Sequence, residues 1–251
     1  MEDYSKKNPR PTVAQAERLD FVMAEIERLA NDGSDEKAYF KLVAERFQLI
    51  NCYDWLDEPF EENGKQGLKN VKGEVVVPAI YDKFCMPQLY YQPYLEVGAI
   101  KDGKAALVKR DGKGTPVTDF EYHYIERIPR TAIYGVWKSE DLKHFALMVV
   151  GMVFTPFEIT DYGILCDGGL PIFGDNGKMG VVDTINLRYI APEYDEVIDN
   201  GMYEDFTFIK DGVKGRVTLD KRFISDDDYD NLSEDEMDKI DEIGFIGAVE
   251  N

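Results

Sequence analysis

Apolar residues recur every three or four positions along two stretches near the start of the chain, a spacing typical of amphipathic helices. The first stretch covers residues 12–31, and a break at Asp32-Gly33 separates it from a second that runs to about Asn51. Because so short a break makes neighbouring helices antiparallel, residues 1–56 are predicted to form a helical hairpin. The inward positions are expected to be Val13, Ala16, Leu19, Val22, Met23, Ile26 and Leu29, then Ala38, Leu42, Val43, Phe47 and Ile50.

The pattern changes from Asn63 onward, where short apolar runs are separated by turns. Seven Asn-Gly or Asp-Gly dipeptides lie in this part of the chain. Both residue types tolerate a positive φ, so these dipeptides are strong indicators of β-hairpins. We therefore predict antiparallel β-structure over residues 57–231.

The turns and strands of this region repeat. Gly67 is followed 14 residues later by Tyr81-Asp82, and Gly180 is followed 14 residues later by Tyr194-Asp195. Small residues serve as anchors within five copies, at steps of 39, 40, 34 and 35: Gly67, Ala106, Ala146, Gly180 and Gly215. The weaker copies are expected to end at Phe120-Glu121, Phe157-Glu158 and Tyr229-Asp230. A period in this range predicts about five tandem three-stranded β-repeats, arranged as a curved array or a small propeller.

Each part of the repeat has a physical interpretation. The small residue permits close backbone approach or a β-bulge. The Tyr or Phe at the end is a large core residue. The acidic residue after it is expected to accept a hydrogen bond from a turn.

These residues resemble the WG-repeat (KWG-repeat) family of bacterial proteins. The matching pattern is Gly-Lys-x-Gly-Leu, a turn with Gly, Val-Val-Pro and then Tyr-Asp, and it is best preserved in residues 64–84 and 177–198. Every copy lacks the Trp that names the family. The resemblance implies a β-repeat domain that binds a partner protein.

Residues 225–242 hold ten acidic side chains and one Lys. Ser233-Glu234-Asp235-Glu236 predicts a capped helix within an acidic C-terminal segment, residues 232–251. Met237, Ile240 and Ile243 would form its apolar stripe. One interpretation is a solvated cap; the other is a docking patch for a basic partner. Its candidate residues are Asp226, Asp227, Asp228 and Asp230. A calcium loop is not supported, because the required Gly and the final Glu are missing.

An aromatic cluster at Tyr90, Tyr91 and Tyr94 lies where the first repeat is longest. Such clusters are commonly core packing. Insertions in repeat arrays also map to binding loops, and Tyr is favoured at interface hot spots. Both interpretations stay open, and the three Tyr residues are kept as candidate partner contacts.

Charge and targeting patterns restrict the function further. The chain has 29 Lys plus Arg and 49 Asp plus Glu, a net charge of −20, which argues against nucleic-acid binding. We expect no membrane span, because no apolar run approaches the required length. Three Cys without a CxxC motif and the lack of a secretory signal indicate a cytoplasmic protein.

No catalytic motif is apparent, and we expect no cofactor and no metal. Gly98, Gly103 and Lys104 match the spacing of a phosphate-binding loop, but Ala105 replaces the Ser or Thr, and a strand is expected to follow instead of a helix. His123 and His144 lie in different copies with no Cys nearby.

The sequence therefore predicts a non-enzymatic protein-binding module, with an acidic neutraliser of a basic toxin or enzyme as one concrete form. The alternative is a carbohydrate or small-ligand binder, or a hydrolase, that uses aromatic and carboxylate side chains in a cleft formed by the repeats.

Overall fold

The computed structural model describes residues 8–33, 35–85, 96–129, 131–165, 169–201, 206–218 and 220–243. They form a mainly β fold of five small antiparallel sheets, with a helical pair at the N-terminal end and short helices at the C-terminal end. This confirms the predicted fold class. Among the helices of these ranges, none has the length and apolar character that a membrane span requires.

The helices and strands are numbered in chain order. The helices are α1 (Val13–Asp32), α2 (Glu36–Cys52), α3 (Asp226–Asp230) and α4 (Glu234–Ile243). The strands of the first three sheets are β1 (Glu58–Glu62), β2 (Lys65–Lys69), β3 (Val75–Tyr81), β4 (Lys83–Phe84), β5 (Val97–Lys101), β6 (Lys104–Val108), β7 (Tyr124–Arg127), β8 (Ile133–Trp137), β9 (Phe145–Val149) and β10 (Met152–Val153). Those of the last two are β11 (Asp161–Tyr162), β12 (Gly169–Phe173), β13 (Met179–Asp183), β14 (Arg188–Tyr194), β15 (Glu196–Asp199), β16 (Phe206–Lys210), β17 (Val213–Val217) and β18 (Phe223–Ser225).

Each sheet is a meander in which strands consecutive in the chain are neighbours. The sheets are, in order, β1–β3, β4–β6, β7–β10, β11–β14 and β15–β18. The predicted three strands per repeat are found in the first sheet, whereas the second has a short additional strand, β4, and only an isolated bridge between Val108 and Pro116 in place of the third predicted strand. The other three sheets have four strands, because a short additional strand completes each of them.

The described residues fall into two compact units, the first ending at Glu121 and the second beginning at Tyr122. In the first unit, Leu19 of α1 and Trp55 are buried together, and Leu49 of α2 packs against them. In the second unit, one apolar cluster includes Phe145 and Leu170, and another includes Tyr194. The segment boundaries expected after residues 56 and 231 stay predictions.

The helical hairpin differs from its predicted pattern at two inward positions: Val13, the first residue of α1, is 49% exposed, and Phe47 of α2 is the other. Thr12 caps α1 in a capping box with Gln15, and Gly33 ends the helix in the left-handed conformation. Phe47 was expected to face inward, but 70% of it is exposed. The reason is that α2 packs through Leu49 and Ile50 instead, which leaves Phe47 on the solvent side.

The Asp that follows the repeat Tyr joins one sheet to the next. The Asp82 N–H donates to the Ile100 carbonyl at 2.8 Å, and its carboxylate accepts from the Asp102 N–H at 2.6 Å. Lys65 of the preceding sheet binds the same carboxylate. Asp82 therefore contacts the hairpin before it and the turn after it, as the sequence predicted for a turn acceptor.

We call this set of contacts, by which one residue connects consecutive sheets, a joint. A second joint, at Asp195, repeats the arrangement. The Asp195 N–H donates to the Ile209 carbonyl at 2.7 Å, and its carboxylate accepts from the Gly212 N–H at 3.3 Å. Lys178 binds that carboxylate as Lys65 binds Asp82. The Ile-Lys-Asp-Gly string that recurs at 100–103 and 209–212 thus marks the turns that receive the joint.

The weaker copies end two residues later than the sequence indicated. The His123 N–H donates to Trp137, and the Thr160 N–H donates to Phe173, as Asp82 and Asp195 do in their joints. The buried residues before these donors are Tyr122 and Ile159. Phe120-Glu121 and Phe157-Glu158 are therefore not the equivalents of Tyr-Asp. The aromatic-acid pattern is absent at the true positions because His123 and Thr160 replace the Asp, and Ile159 replaces the Tyr.

The small residue has the predicted role in the three copies that use Gly. A Cβ on Gly180 would lie 2.3 Å from the Ile190 carbonyl oxygen, and one on Gly215 would lie 2.2 Å from that of Ile224. Strand pairing shifts register at Gly180, as a bulge does. The close approach of the third strand explains why these copies use Gly.

Two copies use Ala in the same position, and their third strand is interrupted. Next to Ala106, the Leu107 N–H donates to the Thr118 hydroxyl at 3.0 Å. Next to Ala146, the Leu147 N–H donates to the Thr155 hydroxyl at 2.8 Å. A Thr side chain thus replaces a backbone carbonyl in both copies.

Replacing Gly180 by Ala is expected to lower the free energy of unfolding by about 1–3 kcal/mol, because the new methyl overlaps backbone that cannot move freely. Gly163→Ala is the control, since its methyl would meet only the Pro171 side chain at 3.2 Å. Urea unfolding measures both. Equal losses in the two variants would contradict the close-approach explanation.

The joint predicts a pH dependence. Hydrogen bonding from Lys65 lowers the pKa of Asp82, and that from Lys178 lowers the pKa of Asp195. Because the folded-state pKa lies below the unfolded value of about 3.9, the stabilisation is present above that pH and is lost as the pH falls through the folded pKa.

We therefore expect Asp82→Asn and Asp195→Asn each to lower the melting temperature at pH 7, with a gap to the wild type that narrows toward pH 3. Asn keeps an acceptor for the turn and removes only the charge. Asp119→Asn, at an exposed carboxylate, serves as the control. A difference in melting temperature that does not change with pH would show that the charge of these Asp residues does not contribute to stability.

Candidate functional site

The acidic candidates lie together on α3, directly after the last strand. The buried Ser225 caps this helix, since its hydroxyl accepts from the Asp228 N–H at 3.0 Å and donates to the Asp228 carboxylate at 2.7 Å. The cap explains why β18 ends where it does. It also corrects one prediction, because Tyr229-Asp230 belongs to α3 and does not end a strand.

The four Asp side chains of α3 form one acidic surface. Asp226, Asp227, Asp228 and Asp230 are all exposed. Within the described ranges, no Lys or Arg lies within ion-pair distance of them. These carboxylates therefore present their charge to solvent. We call them the α3 acidic surface.

Packing beneath α3 holds it against the fifth sheet. The Arg216 guanidinium of β17 lies 5.3 Å from the centre of the Tyr229 ring. This cation–π contact joins α3 to β17. The short helix thus has a defined orientation on a strand that the repeat framework already positions.

Helix α4 continues the acidic segment. The Ser233 hydroxyl donates to the Glu236 carboxylate at 2.5 Å and the Ser233 N–H donates to it at 3.1 Å, and these two hydrogen bonds lower the pKa of Glu236. Ile240 is buried, and Met237 and Ile243 are half-buried. The predicted helix and its apolar stripe are both present.

The aromatic candidates cannot be placed in the same way. Tyr90, Tyr91 and Tyr94 lie outside the described residues. Their two interpretations, core packing and a contact loop, both stay predictions.

The remaining candidate chemistry is accounted for by the repeat. Gly103 and Lys104 form the β5–β6 hairpin, so a strand follows them, and no helix N-terminus is there to bind phosphate. His144 contacts Asp175 at 2.6 Å, in the turn of the following sheet. In the described part of the chain, no three His, Cys, Asp or Glu side chains are grouped as a metal site requires.

A feature that the sequence analysis missed is a groove of about 520 Å³ in the second unit. Its apolar lining is Phe154, Pro156, Leu187 and Ile190, and its polar lining is Arg188, Tyr189 and Lys221. These residues belong to three successive sheets: Phe154 and Pro156 follow β10, Leu187 to Ile190 lead into and begin β14, and Lys221 lies in the turn before β18. We call this the turn groove.

Buried polar side chains fix the three segments that form the turn groove. Thr155, the residue after Phe154, accepts a hydrogen bond from the Leu147 N–H. Asp183 accepts from the N–H groups of Ile185 and Asn186, both at 2.9 Å. In the third segment, Thr218 accepts from the Arg222 N–H at 3.1 Å. The groove is therefore built on anchored turns.

Tyr189 contributes a further fixed contact. Its hydroxyl donates to Glu158, and burial together with this carboxylate raises the pKa of Tyr189. The phenol thus stays neutral and keeps donating to Glu158. Its ring remains as part of the groove wall.

Two lining residues of the turn groove adopt a backbone conformation that their type disfavours. Leu187 has φ 55° and Lys221 has φ 69°. Val150, in the turn that precedes Phe154, has φ 46°, which is a strong outlier for a β-branched residue. Left-handed backbone costs such residues about 1–2 kcal/mol each. In the first unit the corresponding turns use Gly73 and Gly112.

Comparison with known proteins adds little. No family model and no curated protein matches the chain. Among solved structures, the chain is similar to BamB from Moraxella catarrhalis, with 12% sequence identity and a TM-score of 0.29. The match covers 67% of this chain and 57% of that one, so this chain spans less than two thirds of its length. A likeness this low carries no argument about function.

Proposed function

We propose that this chain is a non-enzymatic, cytoplasmic protein-binding module of the WG-repeat type, which docks a basic partner protein on the α3 acidic surface. The observation that supports the proposal is the set of exposed carboxylates on α3 that no cation in the described part of the chain engages. A carboxylate that already forms an ion pair within the chain must break it before it can bind a partner. Among the described residues, the α3 carboxylates have no such ion pair to break.

The charge of the whole chain supports the same partner. A net charge of −20 attracts a basic protein at long range and raises the rate of encounter. The clustered carboxylates of α3, which is packed against β17, then orient the bound partner. A module that covers a basic toxin or enzyme, as an immunity-type neutraliser does, is one concrete form of this function.

The alternative function, carbohydrate or small-ligand binding or hydrolysis, has a different requirement. Glycoside hydrolysis uses two carboxylates on opposite sides of the scissile bond. The charged side chains that line the turn groove in the described structure are Arg188 and Lys221, and Glu158 is bound by Tyr189. This composition favours an anionic ligand over a hydrolase site.

The partner can be identified by co-purification of the full chain from its native host, followed by mass spectrometry. We expect a stoichiometric basic protein. Its affinity is then measured for a triple variant, Asp226→Asn, Asp227→Asn and Asp230→Asn, in which Asp228 keeps its bond to Ser225. We expect the affinity to fall by about tenfold or more, mainly through slower association at low salt.

The matched control removes the same charge elsewhere: Glu61→Gln, Glu62→Gln and Glu140→Gln, all at exposed positions. Its affinity should stay much closer to that of the wild type. Equal losses of affinity in the two variants would show that net charge, and not the position of the carboxylates on α3, determines binding. An acidic partner, or one that binds the triple variant normally, would remove the α3 acidic surface from the function.

A further inference from the structure

The turn groove combines four apolar lining residues with Arg188 and Lys221 in a chain of net charge −20. We propose that it is a second binding site, which takes a segment of a partner polypeptide that presents a carboxylate between apolar side chains. This site is separate from the α3 acidic surface and has the opposite charge.

Backbone strain is the first support for the proposal. Leu187 and Lys221 both line the groove, and both hold a left-handed backbone that Gly or Asn would adopt at less cost. Turns in the first unit use Gly for this purpose. Side chains kept at a conformational cost are a recognised mark of functional positions.

The chemistry of the lining identifies the ligand. Phe154, Leu187 and Ile190 offer apolar contact, and Lys221 offers an ammonium group at the turn. Lys221 has no ion-pair partner among the described residues. A carboxylate that enters beside an apolar group would pair with this cation while the apolar group is buried.

Exposed apolar side chains in the segments that carry the lining residues favour a polypeptide over a small carboxylate. Val150 and Met152 precede Phe154 and are 71% and 59% exposed. Ile185 precedes Leu187 and is 77% exposed. A small molecule confined to the groove would leave these side chains in water. An extended segment would cover them together with the groove.

The anchoring of the turns adds to the expected affinity. Thr155, Asp183 and Thr218 hold the three segments through buried hydrogen bonds. Little conformational freedom is then lost when a segment binds. The groove also has the size of common ligand sites, which run from about 300 to 1,000 Å³.

The test begins with selection of a random heptapeptide phage library on the full-length wild-type protein. We expect enriched peptides with Asp or Glu flanked by apolar residues. The dissociation constant of a synthetic enriched peptide is then measured by fluorescence polarisation. Lys221→Gly should weaken binding at least tenfold, while its melting temperature stays at or above that of the wild type.

The control is Leu142→Gly, because Leu142 also has a left-handed backbone, at φ 52°, but does not line the groove. It should leave the dissociation constant unchanged. Replacing the acid of the peptide by its amide should cost as much as Lys221→Gly. The two changes together should cost little more than either alone, as expected for one shared interaction.

Several results would overturn the proposal: no enrichment, enriched peptides without an acid, or a dissociation constant indifferent to Lys221→Gly. Saturable binding of octanoate that depends on Lys221, without peptide binding, would assign the groove to a small carboxylate instead. The triple Asn variant of α3 should still bind the peptide. The two proposed sites can thus fail independently.

Discussion

The bond that most of this structure depends on is the one made by the Asp after the repeat Tyr. At Asp82 and at Asp195, one side chain holds a Lys of its own repeat and a turn of the next, while the backbone N–H begins the next sheet. The preceding Tyr is buried, and burial helps to raise the pKa of Tyr194 to about 12. In each of these two joints, a buried Tyr is therefore followed directly by an Asp that forms an ion pair.

Much of this was readable from the sequence because it depends on local requirements. A turn needs Asn or Asp followed by Gly, a close approach needs a small residue, and a joint needs an acceptor. The helical hairpin, the sheets and the helix that begins after Ser233 followed from such patterns. The joints at His123 and Thr160 escaped detection because neither residue is an acid: the His123 N–H, and the Thr160 N–H and hydroxyl, act there as donors, without the carboxylate that identifies Asp82 and Asp195.

The candidate sites show the same division. The α3 acidic surface could be predicted, because four Asp residues within five positions are evident in the sequence. The helix that carries them could not be predicted. The turn groove could not be predicted. Its lining comes from three sheets, and its most informative property, a left-handed backbone at Leu187 and Lys221, belongs to residue types that rarely adopt it. Sequence patterns report what a residue prefers, and here the residue departs from its preference.

The joint also limits how such a chain can change length during evolution. Tyr81 ends one sheet and Asp82 begins pairing with the next, so a single peptide bond separates two folded layers. An inserted residue at that bond would separate the buried ring from the carboxylate that binds the next turn. Insertions and deletions should therefore accumulate within turns and leave the Tyr-Asp step intact. The steps between copies vary from 34 to 40 residues, whereas the distance from Gly to Tyr-Asp is 14 residues in both copies that form a Tyr-Asp joint.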